Sequence, residues 1–176
     1  MTAEEVYESV TNGGATDFAA AVEIFERFGP WCLIGGLAVN CYVEPVYTVD
    51  ADFVVVSSNL LNLQAALTGA GFSLQTFAHS GNAKRPESKL SLQLRTDVRY
   101  QDFPSRTERR EVLGRMVPVA ALADVVKGKV WAWQDENRRL TKRKKDELDL
   151  MRIAEAYPHL AASMPVEIVR QLEGQP

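Results

Sequence analysis

A glycine pair, Gly35-Gly36, followed fourteen residues later by the carboxylates of Asp50-Ala51-Asp52, limits the fold of this chain more than any other feature. Ahead of the glycines, Trp31-Cys32-Leu33-Ile34 is short, apolar and bounded by Pro30, the pattern of a buried strand that ends in a tight turn. A helix over Leu37 to Tyr42 is expected next. The carboxylates head a second strand, Asp50 to Val56, in which alternation places Thr48, Asp50 and Asp52 on one face and Val49, Ala51, Phe53 and Val55 on the other. The two acids then stand about 7 Å apart along one side of a strand whose other side must be buried. Neighbouring anions beside an apolar run are costly, and a hard cation ligated by both relieves the cost. The glycine turn leaves backbone N–H groups free to approach a phosphate. A tight turn followed by a solvated edge strand is the structural alternative.

The remaining periodicities fill in the fold. Helices are expected over Thr2 to Thr11 and from a Thr16 cap to Gly29, the second with Phe18, Val22 and Phe25 on one stripe. Ser58 caps a helix through Leu60, Leu63 and Leu67, and Phe72 to Phe77 is extended. The stretch from His79 to Lys89, broken by Gly81, Asn82, Pro86 and Ser88, is expected to be the most flexible. In the strand Leu90 to Thr96, three leucines share one face while Gln93, Arg95 and Asp97 share the other. Extended segments around Glu111 to Val119 precede helices near Ala121 to Trp133, Thr141 to Tyr157 and Pro165 to Glu173. Strands separated by helices, with helices last, give an α/β (α+β) fold, a mixed sheet with flanking helices. A single domain of 176 residues can bury roughly 70% of its unfolded surface. That domain is expected to span 1–176, with the sheet core at 30–119 and the C-terminal helices at 120–176.

Two charged residues sit where a helix should be apolar. On the helix from Ala121, Leu122, Val125, Val126 and Trp133 form a stripe, and Lys129 falls on it. On the next helix, Asp146 shares a stripe with Leu150, Ile153, Ala154 and Tyr157. A lysine on the core side must snorkel or pair with an anion, so Lys129 points to a phosphate or to Asp146. Removing Lys129 is expected to cost activity with modest loss of stability, and removing Asp146 to cost both. The run Arg138 to Lys145 holds six bases in eight residues at a helix start, where the macrodipole disfavours them. Arg143 and Lys145 are candidate nucleotide contacts there, and the run as a whole suits a triphosphate or an RNA backbone, or a solvated basic face. Trp131 and Trp133 offer rings for stacking on a base, although tryptophans at helical spacing more often belong to the core. A third carboxylate completes a two-metal site; Asp97 at the end of its strand is the candidate, with Asp102 next.

The order Gly-Gly, then Asp-x-Asp at a strand start, resembles the nucleotidyltransferase superfamily of the polymerase-β type. "GGLAVN" followed by "TVDADF" is similar to the opening of the AbiEii-like nucleotidyltransferases of toxin–antitoxin pairs. Val119 to Ala132 resembles that group's lysine-bearing helix, and Lys145-Asp146-Glu147-Leu148-Asp149-Leu150 its final Arg/Lys-Asp-x-x-Asp-Leu helix, so the likeness runs from Gly35 to Leu150. Val46 stands where many relatives carry an arginine. The resemblance implies transfer of a nucleoside monophosphate from an NTP to a hydroxyl of RNA or of a partner protein such as a cognate antitoxin. Mg²⁺ or Mn²⁺ is then held by Asp50, Asp52 and Asp97. Gly35, Gly36 and Thr48 approach the phosphates, and Lys129 with Asp146 completes the site. A nucleotide- or partner-binding module that keeps the fold without the reaction is the alternative.

Composition excludes several other classes. The longest uncharged apolar runs, such as Trp31 to Val43, contain glycines, an Asn and a Cys and fall short of the roughly 20 residues that span a bilayer. Glu4, Glu5 and Glu8 stand where a signal peptide needs basic residues, so a cytoplasmic location is expected. Cys32 and Cys41 lack any metal-ligand spacing and read as reduced, buried thiols. The net charge of −3 conceals nine acids against one base in residues 1–83 and fourteen against nineteen in 84–176. An acidic half that attracts cations and a basic half that attracts anions suit a protein that handles phosphates.

Overall fold

The structure is a computed structural model and describes residues 2–174. Met1, Gln175 and Pro176, which belong to the expected 1–176 span, lie outside the described residues. Two helices, α1 (Ala3–Thr11) and α2 (Gly14–Phe25), lead into strand β1 (Trp31–Ile34), the short helix α3 (Gly35–Val39) and strand β2 (Asp50–Val55). Helix α4 (Leu60–Gly69) and strands β3 (Ser73–Phe77), β4 (Ser80–Lys84) and β5 (Ser91–Arg95) follow. A hairpin of β6 (Thr107–Val112) and β7 (Arg115–Ala120) precedes helices α5 (Leu122–Gln134), α6 (Leu140–Ala156) and α7 (Val166–Glu173). The strands form one seven-stranded mixed sheet in the order β3-β4-β5-β2-β1-β7-β6. β2 is central, antiparallel to β1 and parallel to β5, so Asp52 lies between Ile34 on one side and Gln93 on the other. The fold class expected from the sequence is the one observed. Among the described residues, no helix is long and apolar enough to cross a membrane.

The alternation of β2 divides the protein into two layers. Ala51 and Phe53 face α2, where Phe18, Phe25, Trp31 and Phe53 form an aromatic cluster with the Phe25 and Phe53 centroids 4.7 Å apart at an edge-to-face angle. Asp50 and Asp52 face the other way, toward α5 and α6. One strand therefore anchors the core with its odd-numbered residues and presents carboxylates with its even-numbered ones.

Local chemistry moved several boundaries. α2 starts at Gly14 and not at a Thr16 cap, because Asn12 and Gly13 both turn left-handed and the Thr11 hydroxyl accepts from the Gly14 N–H at 2.9 Å. Thr16 instead donates its hydroxyl to Glu8. The stretch expected to be flexible contains β4, whose sequence Ser-Gly-Asn-Ala-Lys lacks apolar alternation. It is ordered by pairing on both sides, with β3 and β5. α3 begins at Gly35 itself and ends at Val39, shorter than the Leu37 to Tyr42 helix expected.

Because Phe53 is fully buried and joins β2 to α2, Phe53→Ala is expected to cost about 3–5 kcal/mol in urea unfolding. A loss below about 1 kcal/mol would show that the cluster is not the anchor of the central strand.

Candidate active site

Thr48, Asp50, Asp52, Gly36, Lys129, Lys145 and Asp146 line one cleft of about 190 Å³ between the sheet and α6. Seven residues singled out by sequence thus converge across 110 positions of chain. Thr48 turns the chain into β2, its hydroxyl accepting from the Asp50 N–H. Gly35 has φ +70°, and a Cβ there would fall on the Asp52 carboxylate; at Gly36 a Cβ would make only ordinary contact with Thr48 at 3.5 Å. Gly35 is therefore required by the close approach of Asp52, whereas Gly36 is the residue that faces the cleft.

The carboxylates differ in surroundings. Asp50 is paired with Lys142, whose ammonium sits at the mouth of the pair. Asp52 is more enclosed, with Arg95 at 3.8 Å. Burial, and then the charge of Asp50, push its carboxyl above the usual range against the pull of Arg95 and Lys129. Two carboxylates of one strand face that already attract an ammonium suit a single hard cation. No cluster of three metal-ligating side chains occurs among the described residues.

Lys129 is buried, and its amine contacts Asp146 at 2.9 Å and Asp149 at 2.7 Å. Burial lowers its pKa, but Asp149 and Asp146 outweigh that and hold it above the usual lysine value. Arg138 takes the other oxygen of Asp146 at 2.7 Å, and Arg152 that of Asp149 at 2.7 Å. Lys129 therefore faces the core, as its stripe position indicates, in contact with Asp146. Asp149, quoted above only within the helix motif, and Lys142, only within the basic run, also belong to the site: with Asp146 they occupy positions i−4, i and i+3 of one helix face.

Other expected residues lie elsewhere. Asp97 lines a neighbouring cavity with Arg95, Arg99 and Arg138 and is held by Arg99 through bonds of 2.9 and 3.2 Å, which lower its pKa. It lies two residues past the end of β5, where it caps the Val98–Tyr100 turn of helix by accepting from the Arg99 N–H at 2.9 Å. Asp102 is an exposed partner of Arg106. The residue of β5 in register with Asp52 is Gln93, a neutral amide that bonds Ser91 at 2.8 Å. Arg143 is also outside the cleft, donating to the Trp133 carbonyl at 2.8 Å and so closing the end of α5. The basic run is divided: Arg138, Lys142 and Lys145 face the cleft, while Lys144 pairs with Glu147. Trp131 packs on Phe103 and Tyr100, and Trp133 bonds Glu147, so both are structural.

No protein-family model and no curated protein matches the sequence. Solved structures of nucleotidyltransferases share the fold. ANT(2'')-Ia in complex with adenylyl-2''-tobramycin superposes with a TM-score of 0.63 at 13% identity, covering 90% of this chain and 98% of that one. The lincosamide antibiotic adenylyltransferase LnuA, lincomycin-bound, gives 0.53 at 12% identity over 77% of this chain and 94% of that one. A putative nucleotidyltransferase from H. pylori gives 0.54 at 20% identity over 81% of this chain and 67% of that one. The chain has the nucleotidyltransferase fold, as its glycine and carboxylate motifs imply. At these identities the likeness is one of architecture.

The shared lysine reverses the stability ranking expected from sequence. Lys129→Ala leaves two buried carboxylates without their common cation and is expected to cost about 3–5 kcal/mol in denaturant unfolding. Asp146→Ala should cost less, since Asp149 still neutralises Lys129; the opposite ranking would contradict the bridge. Asp52 supplies a second expectation. Its folded-state pKa is raised, so the folded protein favours the protonated form and stability falls as pH rises above the unfolded value of 3.8. Asp52→Asn should therefore raise the thermal midpoint at pH 7, with the gain vanishing below pH 3.8; an equal gain at both would disprove the linkage.

Proposed function

We propose that the protein is a nucleotidyltransferase that moves a nucleoside monophosphate from an NTP to a hydroxyl of RNA or of a partner protein. A place in an AbiEii-like toxin–antitoxin pair, with the cognate antitoxin as a binding partner, belongs to the same proposal. The observation that carries it is the convergence of Asp50, Asp52, Lys129 and Lys145 on one cleft beside the glycine turn. Asp50 and Asp52 are the residues suited to hold Mg²⁺ or Mn²⁺, which when bound would neutralise phosphate charge and polarise the α-phosphoryl group. Lys142 and Lys145 approach the triphosphate from α6, and Lys142 exchanges Asp50 for phosphate oxygens as the nucleotide enters. Lys129, held by Asp146 and Asp149, adds a fixed positive charge beneath Asp52 and so favours the charge that builds on the leaving pyrophosphate. The acceptor oxygen bonds to the α-phosphorus as the bond to the β-phosphate breaks and pyrophosphate leaves, the hydroxyl's proton passing to water at the open cleft, and positioning and charge account for most of the rate.

One observation favours a second reading. Gln93 occupies the β5 position beside Asp52, and an amide can hydrogen-bond an acceptor hydroxyl but cannot take its proton. A module that holds a nucleotide or a partner without transferring anything needs no base there.

Pyrophosphate release separates the readings. Purified protein with Mg²⁺, each of the four NTPs and bulk RNA or the co-expressed partner should release pyrophosphate and label one acceptor. Asp50→Asn/Asp52→Asn should reduce the rate at least 100-fold, the scale at which charge stabilisation operates. Nucleotide binding without release under every acceptor condition would support the module and refute transfer.

A further inference from the structure

The carboxylate cleft continues across Val46, Tyr47 and Thr48 into a second cavity of about 440 Å³ with mostly apolar walls. Val6 and Tyr7 of α1, Leu37 of α3, Val46 and Tyr47 of the loop before β2, and Val112 of β6 form it. Glu111 is the one charged residue in its lining, in contrast to the lysines and arginines of the cleft. Two tyrosines give the groove its character. Tyr47 is 57% exposed, an aromatic ring open to solvent at the junction with the cleft, 6.3 Å from the ring of Tyr7. Its loop is pinned: the Asn40 side chain donates to the Val46 carbonyl at 2.7 Å and accepts from the Val46 N–H at 3.0 Å. Tyr7 is only 7% exposed, and its hydroxyl is the one buried side-chain polar atom without a hydrogen-bond partner among the described residues. Burial, with the neighbouring Tyr47 and then Asp50 as lesser causes, pushes that hydroxyl's pKa up.

We propose that this groove is the nucleobase subsite of the nucleotide cleft, with the base stacked on Tyr47 and one of its edge atoms paired with the Tyr7 hydroxyl. This deepens the nucleotide reading above and rests on it. The difference in lining selects the ligand: a molecule with one polyanionic end and one flat, uncharged end matches a polar cleft, whose five bases and paired carboxylates suit phosphates with their cation, that opens into a mostly apolar groove. An unpaired buried hydroxyl lowers the stability of the free protein, and a base edge supplies the partner it lacks. Stacking is the larger contribution because every base has a face for it, whereas the single hydroxyl discriminates among base edges.

The test compares Mg²⁺-dependent binding of ATP, GTP, CTP, UTP and tripolyphosphate, the last as a probe without a base, to wild type, Tyr47→Ala and Tyr7→Phe by titration calorimetry. Wild type should bind at least one NTP more tightly than tripolyphosphate. Tyr47→Ala should weaken that NTP about 5- to 100-fold and leave tripolyphosphate unchanged. Tyr7→Phe should raise the thermal midpoint of the free protein, since it removes the unpaired hydroxyl, yet weaken the preferred NTP several-fold. Equal affinity of wild type for tripolyphosphate and every NTP would overturn the base subsite while leaving the phosphate cleft intact. If neither binds, the nucleotide reading itself falls and takes the subsite with it. A change of oligomeric state in Tyr47→Ala with unaltered NTP affinity would make the groove a contact between copies and would also overturn it.

Discussion

The buried ammonium of Lys129 is the interaction on which the rest of the site depends. It is the cation shared by Asp146 and Asp149, and through them it draws α5 and α6 together against the face of β2 that carries the carboxylates. A charge taken out of water is tolerated only when paired and hydrogen-bonded, and here each carboxylate has a second partner, Arg138 or Arg152. Arg152 also donates to the Glu44 carbonyl, so the same network fixes the loop that leads to Tyr47 and Thr48. Packing of the helices, placement of the cleft and placement of the loop follow from one ion cluster.

From that cluster the surface divides by charge. On the inner face of α6, Lys142 and Lys145 alternate with Asp146 and Asp149, the β2 carboxylates stand opposite, and Lys142 bridges the two walls through Asp50. Beyond Arg95 and Arg138 lies a polar cavity that contains Asp97, and beyond Val46 and Tyr47 lies the apolar groove. The nucleotidyltransferase fold includes the central strand pair and the glycine turn, with the polar cavity on one side of the cleft and the apolar groove on the other.

Most of the fold and about half of the site can be read from sequence, and the division has physical causes. Strong periodicity announced β1, β2, β5, α5 and α6, and the inward stripe positions of Lys129 and Asp146 were visible because a charge on an apolar stripe is conspicuous. β4 was invisible because its residues are small and polar and it is ordered by neighbours distant in sequence. The third carboxylate is hard to place for a similar reason. Position on a strand face is legible, but where the strand ends is set by pairing with its neighbours, and Asp97 falls two residues beyond Arg95, past that end. Lys142 and Asp149 do not stand out among neighbouring charges as site residues, although the helical period that singles out Asp146 also selects them. Tyr47 gave no signal at all, since an exposed loop aromatic acquires meaning only from the groove beneath it.

A crystal structure with Mn²⁺ and a non-hydrolysable NTP analogue addresses the central claim most directly, because the anomalous signal of manganese locates the ion without assumption. The expected result is a single ion between Asp50 and Asp52, the triphosphate along Lys142 and Lys145, and Lys142 released from Asp50, with Lys129 still bridging Asp146 and Asp149. Manganese elsewhere, or a triphosphate outside the cleft with Lys142 still bound to Asp50, would contradict the assignment of this cleft as a nucleotide site.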